Sequence, residues 1–137
     1  IGLLIRSGKI DDAFRRVLNL KNLSLLIWLC TQFDIETFFN QQILSSPNLL
    51  SLIQQLSIDL LVDSQLKLQW LQHALFAINI NDQIIRKYFV QMYQVLIKNL
   101  NLFISTSSSN NNVDESTLNA AKMAIKIIEQ LAKTISK

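Results

Sequence analysis

The sequence of 137 residues fits one domain, and because half of its residues are apolar, it can bury a sizeable core. Only two Gly and one Pro occur, too few for the turns of a many-stranded β fold, so long helices with short connections are favoured. The net charge of +3 comes from basic residues that are mostly scattered, which is a weak signal for nucleic-acid binding.

Signals of four helices follow one another in the first third of the chain. The first is predicted over Leu3 to Arg6, and the second begins at Asp11 and Asp12. The third is predicted over Leu23 to Phe33, and the fourth runs from Asp34 to near Gln41. Gly8 should end the first helix, and Asn22 and Asp34 carry side chains that can cap the third and fourth. The third helix has almost no polar face, so we expect it to be buried, with Trp28 in the core.

Three longer helices are predicted next. The fifth helix is predicted from Ser46 to about Leu61. The sixth begins at Asp63 or Ser64 and ends at Ile78, and the seventh begins at Asn81 and Asp82 and ends at Ile104. Ser46 followed by Pro47 is typical of an N-cap with proline at the first helical position. The last of the three is apolar around most of its circumference. It therefore either has several partners inside the domain or leaves an apolar groove open to a ligand.

The remaining segment is predicted to be a loop and a final helix. Residues 105–112 are only Ser, Thr and Asn, with nothing to bury, so we expect a flexible loop. Asn112 and Glu115 have the spacing of a capping box that begins a helix to Ile135. The apolar stripe of that helix is Leu118, Ala121, Ile125, Ile128, Ala132 and Ile135.

These elements together predict an all-α fold of irregular stacked helical hairpins, a HEAT/ARM-like solenoid of about seven to eight helices. We expect residues 1–137 to form a single interaction domain. The chain begins at Ile1 without Met or a signal-peptide pattern, which suggests a fragment of a longer protein. The single Cys30 excludes an internal disulfide and favours a reducing compartment.

The residue types that support catalysis are not grouped in this sequence. Eight of the ten acidic residues fall at predicted helix starts, where they favour capping: Asp11, Asp12, Asp34, Glu36, Asp63, Asp82, Asp114 and Glu115. His73 is the only histidine and Cys30 the only thiol, so a zinc site lacks ligands. We therefore predict a protein that is not an enzyme and has no metal or cofactor.

The fifth helix carries a family resemblance. The segment from Leu44 to Leu56, Leu-Ser-Ser-Pro-Asn-Leu-Leu-Ser-Leu-Ile-Gln-Gln-Leu, resembles the Leu-Ser-x-x-x-Leu-Leu-Ser-Leu-x-Gln-Gln-Leu segment of the enhancer-of-mRNA-decapping scaffolds, the varicose family. Shorter matches occur in the same order: Ala13-Phe14, Trp28-Leu29-Cys30, Lys67-Leu68-x-Trp70, and Ala77-Ile78-Asn79 before Asp82-Gln83. The resemblance covers roughly residues 8–96 and does not extend to the last helix.

The resemblance implies a C-terminal helical domain that follows a WD-repeat propeller and a low-complexity linker. It also implies a scaffold for the decapping enzyme, its activators and the 5′-to-3′ exonuclease in cytoplasmic P-bodies. Accordingly, we expect a domain that docks decapping factors, with no direct nucleic-acid or membrane partner. The alternative from another class is an RNA-binding helical domain, which a steep salt dependence of RNA affinity would support.

Two adjacent basic pairs are the candidate partner-binding residues. Arg15 with Arg16, and Arg86 with Lys87, lie beside predicted apolar faces, where each pair could hold a partner carboxylate. The competing interpretation is that both pairs lie on solvated surfaces and contribute little. Lys67 is a third candidate, from the Lys-Leu-x-Trp match. If these residues do not bind, the apolar side around Trp70 and Tyr93 is the remaining candidate.

Overall fold

The computed structural model describes residues 2–108 and 113–136, and all regular structure in these ranges is helical. The helices are α1 (Gly2–Arg6), α2 (Ile10–Leu20), α3 (Leu23–Thr31), α4 (Ile35–Asn40), α5 (Ser46–Leu56), α6 (Ser64–Phe76), α7 (Gln83–Ser108) and α8 (Glu115–Ile135). The predicted all-α class is confirmed. Gly8 follows α1 with a φ of +77°, a left-handed conformation that glycine adopts without strain.

Cross-helix hydrogen bonds show that α2 and α5 run parallel. Near the start of both helices, Asn48 Nδ2 donates to the main-chain oxygen of Asp11 (3.1 Å) and to its carboxylate (2.7 Å). Near their ends, Gln55 Nε2 donates to the main-chain oxygen of Leu18 (2.8 Å). Since start pairs with start and end with end, the two helices point the same way.

The same evidence places α7 parallel to α5 on its other side. The Ser46 hydroxyl donates to the Asp82 carboxylate (2.6 Å) where the two helices begin. Asn99 Nδ2 donates to the Ser57 hydroxyl (3.1 Å) where α5 ends. Helices α2, α5 and α7 therefore form one layer of parallel helices.

The second layer contains α4, α6 and α8, because α6 packs against both α4 and α8. Helix α8 runs antiparallel to α7, since Arg86 near the start of α7 donates to the main-chain oxygen of Ile135 at the end of α8 (3.2 Å). Successive elements α2 with α3, α5 with α6, and α7 with α8 pack on each other. This arrangement confirms the predicted stacked hairpins.

The core lies between the two layers and is closed by aromatic rings at the α2 end. Phe14 and Trp70 stack with ring centroids 6.3 Å apart, and Phe38 lies 5.1 Å from each of them. At the other end, Ala121 and Ala124 are fully buried. These small side chains let α8 approach its neighbours closely, which is how short residues shape a helix interface.

Helix α5 begins and ends differently from the prediction. Ser45 occupies the N-cap position, and its side chain makes no capping hydrogen bond. Ser46 is helical, and its hydroxyl donates to the Asp82 carboxylate. The helix ends at Leu56, five residues before the predicted Leu61. Asp59 then adopts a left-handed φ of 50°, a conformation that ends helices but that the sequence does not reveal without glycine.

The predicted loop at residues 105–112 is wrong for its first half. Residues 105–108 continue α7, and Ser107 is buried, so packing extends the helix where composition alone favoured a loop. The remaining residues 109–112, including Asn112, lie outside the described residues. The predicted capping box is also wrong, because Asp114 is the N-cap and its carboxylate accepts from Thr117 N (2.9 Å), which makes Glu115 the first helical residue.

Candidate interaction surface

Cys30 and His73, the residues considered for catalysis, have surroundings that favour a structural role. Cys30 is buried, and this burial raises the pKa of its thiol to about 12, so the thiolate needed for nucleophilic attack is scarce near neutral pH. His73 Nδ1 lies 2.9 Å from the main-chain oxygen of Gln69 in its own helix. No group of three or more His, Cys, Asp or Glu that could hold a metal ion occurs within the described residues.

Three of the predicted capping carboxylates do cap helices. Asp34, Asp82 and Asp114 each accept a main-chain N–H from the first turn of the helix that follows. Hydrogen bonds lower the pKa of all three, with the Ser46 hydroxyl as the largest cause for Asp82. Because these carboxylates stabilise helix starts, their shifted pKa values have a structural explanation.

The two tryptophans differ in burial, and the prediction for Trp28 is wrong. Trp28, expected in the core, is 45% exposed, whereas Trp70 is only 3% exposed. Trp70 lies under Phe39, whose ring meets it edge-on at 5.2 Å, so its indole cannot anchor a partner. Helix α3 packs mainly against α2, and one side of it therefore remains uncovered.

The basic pairs are exposed, but half of each pair is already engaged. Arg15 forms an ion pair with Asp12 (3.0 Å), and Arg86 donates to the main-chain oxygens of Ile80 and Ile135 (both 3.2 Å). Arg16 is exposed and makes no ion pair among the described residues. Lys87 is exposed, with its ammonium 5.3 Å from the ring centre of Tyr88. Arg16 and Lys87 are therefore the members of the two pairs that make no ion pair or main-chain hydrogen bond among the described residues.

Lys67 is a structural residue in this fold. It is 1% exposed, and its ammonium donates to the main-chain oxygens of Ile58 (3.1 Å) and Asp59 (2.8 Å). Burial lowers its pKa, while the charges of Asp59 and Asp63 act in the opposite direction. Lys67 thus satisfies carbonyls in the turn after α5 and presents no charge to a partner on the surface.

An apolar surface that the basic pairs did not indicate runs along α7 beside α5. Ile84, Tyr88, Val95 and Leu102 repeat at intervals of four, seven and seven residues and lie on one helical face. They are 40%, 47%, 51% and 64% exposed, respectively. We call this face, with its neighbours on and after α5, the α5–α7 strip. Those neighbours are Pro47, Leu50, Ile58, Leu61 and Val62.

The α5–α7 strip includes two hollows that follow one another along the helices. The first, of about 690 Å³, has Pro47 and Leu50 on one side and Ile84 and Tyr88 on the other. The second, of about 500 Å³, lies beyond the end of α5 and includes Leu102. The sequence signal for this surface was the apolar circumference of α7, for which one of the two interpretations was an open apolar groove. The structure shows that groove beside α5.

No helix within residues 2–108 and 113–136 combines the length and the apolar character needed to cross a bilayer.

Comparison with known proteins finds relatives that share one description. The family model described as "Enhancer of mRNA-decapping protein 4, C-terminal" matches residues 1–133. The chain is 33% identical over 109 residues to enhancer of mRNA-decapping protein 4 of Mus musculus, covering 78% of this chain and 8% of the relative. It is 34% identical over 109 residues to the Drosophila melanogaster homologue, with the same coverage of 78% and 8%. The chain therefore spans less than a tenth of these relatives.

A solved structure is similar over nearly the whole fold. The crystal structure of the conserved C-terminal region of Ge-1 superposes with a TM-score of 0.82 at 31% sequence identity, covering 93% of this chain and 92% of that one. The likeness includes the last helices, which the short sequence matches did not reach. All of these relatives thus point to one C-terminal helical domain.

Proposed function

This chain belongs to the C-terminal family of enhancer of mRNA-decapping protein 4, and we propose that it is a non-catalytic protein-interaction domain of an mRNA-decapping scaffold. In this proposal it docks the decapping enzyme, its activators or the 5′-to-3′ exonuclease in the cytoplasm and directs the scaffold to P-bodies. Its partners are proteins rather than RNA.

The observation that carries the proposal is the α5–α7 strip. Large apolar side chains exposed in a row are costly in water and typically mark an interaction surface when they are contiguous. Here they lie on a helix whose opposite side is fixed in the core by Phe89, Leu96 and Leu100, each fully buried. The exposed face therefore belongs to a well-packed element and keeps its shape for a partner.

Arg16 and Lys87 add a weak electrostatic component to this proposal. Both are exposed, and a carboxylate on a partner could pair with either of them. Such pairs at the rim of an interface contribute mainly to association rate and specificity. Arg15 and Arg86 contribute less in this proposal because each already has an internal partner, and Lys67 is omitted because it is buried.

A recovery experiment with matched charge reversals tests the proposal. The tagged chain is incubated with cytosolic lysate, with and without nuclease, and bound decapping proteins are measured. We expect nuclease-resistant recovery that falls when Arg16→Glu and Lys87→Glu are combined, and P-body localisation of the full scaffold should fall with it. The control carries Lys122→Glu and Lys126→Glu on exposed positions of α8, which changes the charge equally and should leave recovery intact.

The outcomes separate the proposal from its rival. Recovery that disappears with nuclease, together with RNA affinity that falls steeply with salt, would identify an RNA-binding domain instead. Recovery of no decapping protein by the folded wild-type chain under either condition would contradict the docking role itself.

A further inference from the structure

We propose that the α5–α7 strip is the docking site for an amphipathic α-helix whose apolar face is flanked by acidic residues. This inference rests on the proposed docking function and specifies the kind of segment that docks. It is carried by the shape of the strip, by the main-chain hydrogen bonding of its walls and by the charges at its edge.

The length and spacing of the strip match a helix. Ile84 and Leu102 are 18 residue steps apart on α7, which is about 27 Å at a rise of roughly 1.5 Å per residue. Its exposed apolar side chains recur at helical intervals, so another helix lying along it would meet contacts at each second turn. The first hollow lies between two parallel helices, α5 and α7, and the second lies between α7 and the turn after α5. This is the groove geometry in which amphipathic helices are usually bound.

The walls also disfavour an extended segment. The main-chain groups of α5 and α7 are used within the helices, so the groove offers no sheet edge with which a strand could pair. A helix satisfies its own main-chain groups and needs only to bury its apolar face. Tyr88 is the exposed aromatic residue of the strip, and Phe103 at the second hollow is buried, whereas grooves for proline-rich segments are lined by several exposed aromatic rings.

Charge at the edge favours an acidic helix. Lys87 and Lys98 are both exposed and lie eleven residues apart on the side of the strip that faces away from α5. At the start of the strip, the Asp82 carboxylate already accepts from the Ser46 hydroxyl and from the N–H of Ile84. Asp59 is exposed at the second hollow, so acidic side chains of a partner complement Lys87 and Lys98 along the edge away from α5 and not that end of the strip.

The same charges disfavour a second copy of this chain as the occupant. Two copies packed through an antiparallel pair of α7 helices would place Lys87 of one copy close to Lys98 of the other, on the same edge of the interface. Like charges placed opposite each other weaken such an interface. An acidic partner helix has no such conflict.

A pair of valines on α7 provides the test. Val95 lies within the strip and is 51% exposed, while Val90 lies on a different face of α7 and is 44% exposed. Val95→Glu and Val90→Glu therefore introduce the same charge at similar exposure on one helix.

The probe is a designed peptide of about 20 residues with leucines on one helical face flanked by Glu, and its counterpart is flanked by Lys. Binding is followed by fluorescence anisotropy, and peptide helicity by circular dichroism.

We expect the Glu-flanked peptide to become helical on binding and to bind Val95→Glu about tenfold more weakly than wild type. Val90→Glu should bind it within about twofold of wild type, and combining Lys87→Glu with Lys98→Glu should reverse the preference toward the Lys-flanked peptide. Equal affinity of wild type and Val95→Glu, or no discrimination between the two peptides, would overturn the inference. So would a concentration-dependent dimer, seen by sedimentation, that Val95→Glu disrupts.

A parallel lysate experiment separates this inference from the proposed function. If decapping proteins are recovered equally by wild type, Val90→Glu and Val95→Glu, docking occurs elsewhere and only the strip is excluded. If wild type recovers none of them, the proposed function fails, and the peptide titration still decides whether the strip binds an acidic helix.

Discussion

Replacing each tryptophan by alanine tests how the structure distributes its core. Trp70 is 3% exposed and its ring contacts Phe14, Phe38 and Phe39 at centroid distances of 6.3, 5.1 and 5.2 Å. Removing it leaves a large cavity, and we expect Trp70→Ala to lower the free energy of unfolding by about 3–5 kcal/mol. Trp28 is 45% exposed, so Trp28→Ala should cost only about 1–2 kcal/mol.

The measurement is urea unfolding followed by circular dichroism, with thermal unfolding alongside it. For a domain of this size 1 kcal/mol corresponds to roughly 3–5 °C, so Tm should fall by about 9–25 °C for Trp70→Ala and about 3–10 °C for Trp28→Ala. Each variant retains one tryptophan, whose fluorescence should be that of an exposed indole in Trp70→Ala and of a buried one in Trp28→Ala. A larger loss for Trp28→Ala than for Trp70→Ala would refute this assignment of the core.

Three further predictions concern single side chains. Lys67→Met should lower the free energy of unfolding by about 1–3 kcal/mol, because the main-chain oxygens of Ile58 and Asp59 lose their donor; an unchanged urea midpoint would contradict this. Asp82 has a folded-state pKa below its ordinary 3.8, so its contribution is present above that value and is lost as pH falls through the lowered pKa. Asp82→Ala should therefore show a shallower fall of Tm below about pH 4, and parallel profiles would argue against the cap. Cys30, with a pKa of about 12, should react with an aromatic disulfide reagent only as fast as the chain unfolds, whereas rapid reaction at pH 8 would show an accessible thiol.

Local chemistry was enough to predict most of the helices and several of their ends. Asn22 and Asp34 accept N–H groups from the first turn of α3 and α4, as their side chains predict. Helix α2 buries Ala13, Phe14 and Val17, which lie on one helical face. These features depend on neighbours within about four residues, and those neighbours are readable in the sequence.

Features that depend on distant parts of the chain were not predictable in the same way. Helix α3 is apolar on all sides, so its pattern did not show which side faces α2 and which side leaves Trp28 exposed. Lys67 is buried because carbonyls of a turn eight and nine residues earlier accept its ammonium. The end of α7 continues through residues 105–108 because tertiary packing covers Ser107, which polar composition alone cannot indicate.

The candidate site was predictable only in part, for the same reason. Adjacent basic residues are visible in the sequence, but the internal partners of Arg86 are main-chain oxygens at Ile80 and Ile135, which only the fold brings together. Reversing Arg86 would therefore disturb the junction of α7 and α8 and confuse loss of binding with loss of stability. This is why the charge-reversal test uses Lys87 alone from that pair.

The cross-helix bonds at both ends of the α5–α7 strip bear on how a partner would bind. Ser46 with Asp82 fixes the starts of α5 and α7, and Ser57 with Asn99 fixes the other end. The spacing of the two walls is thus set before any partner arrives, and binding orders little of the domain itself. The ordering cost falls instead on the partner, if that partner is a segment that folds into a helix on contact, and such coupling lowers affinity for a given contact area. A docking helix held this way would exchange readily.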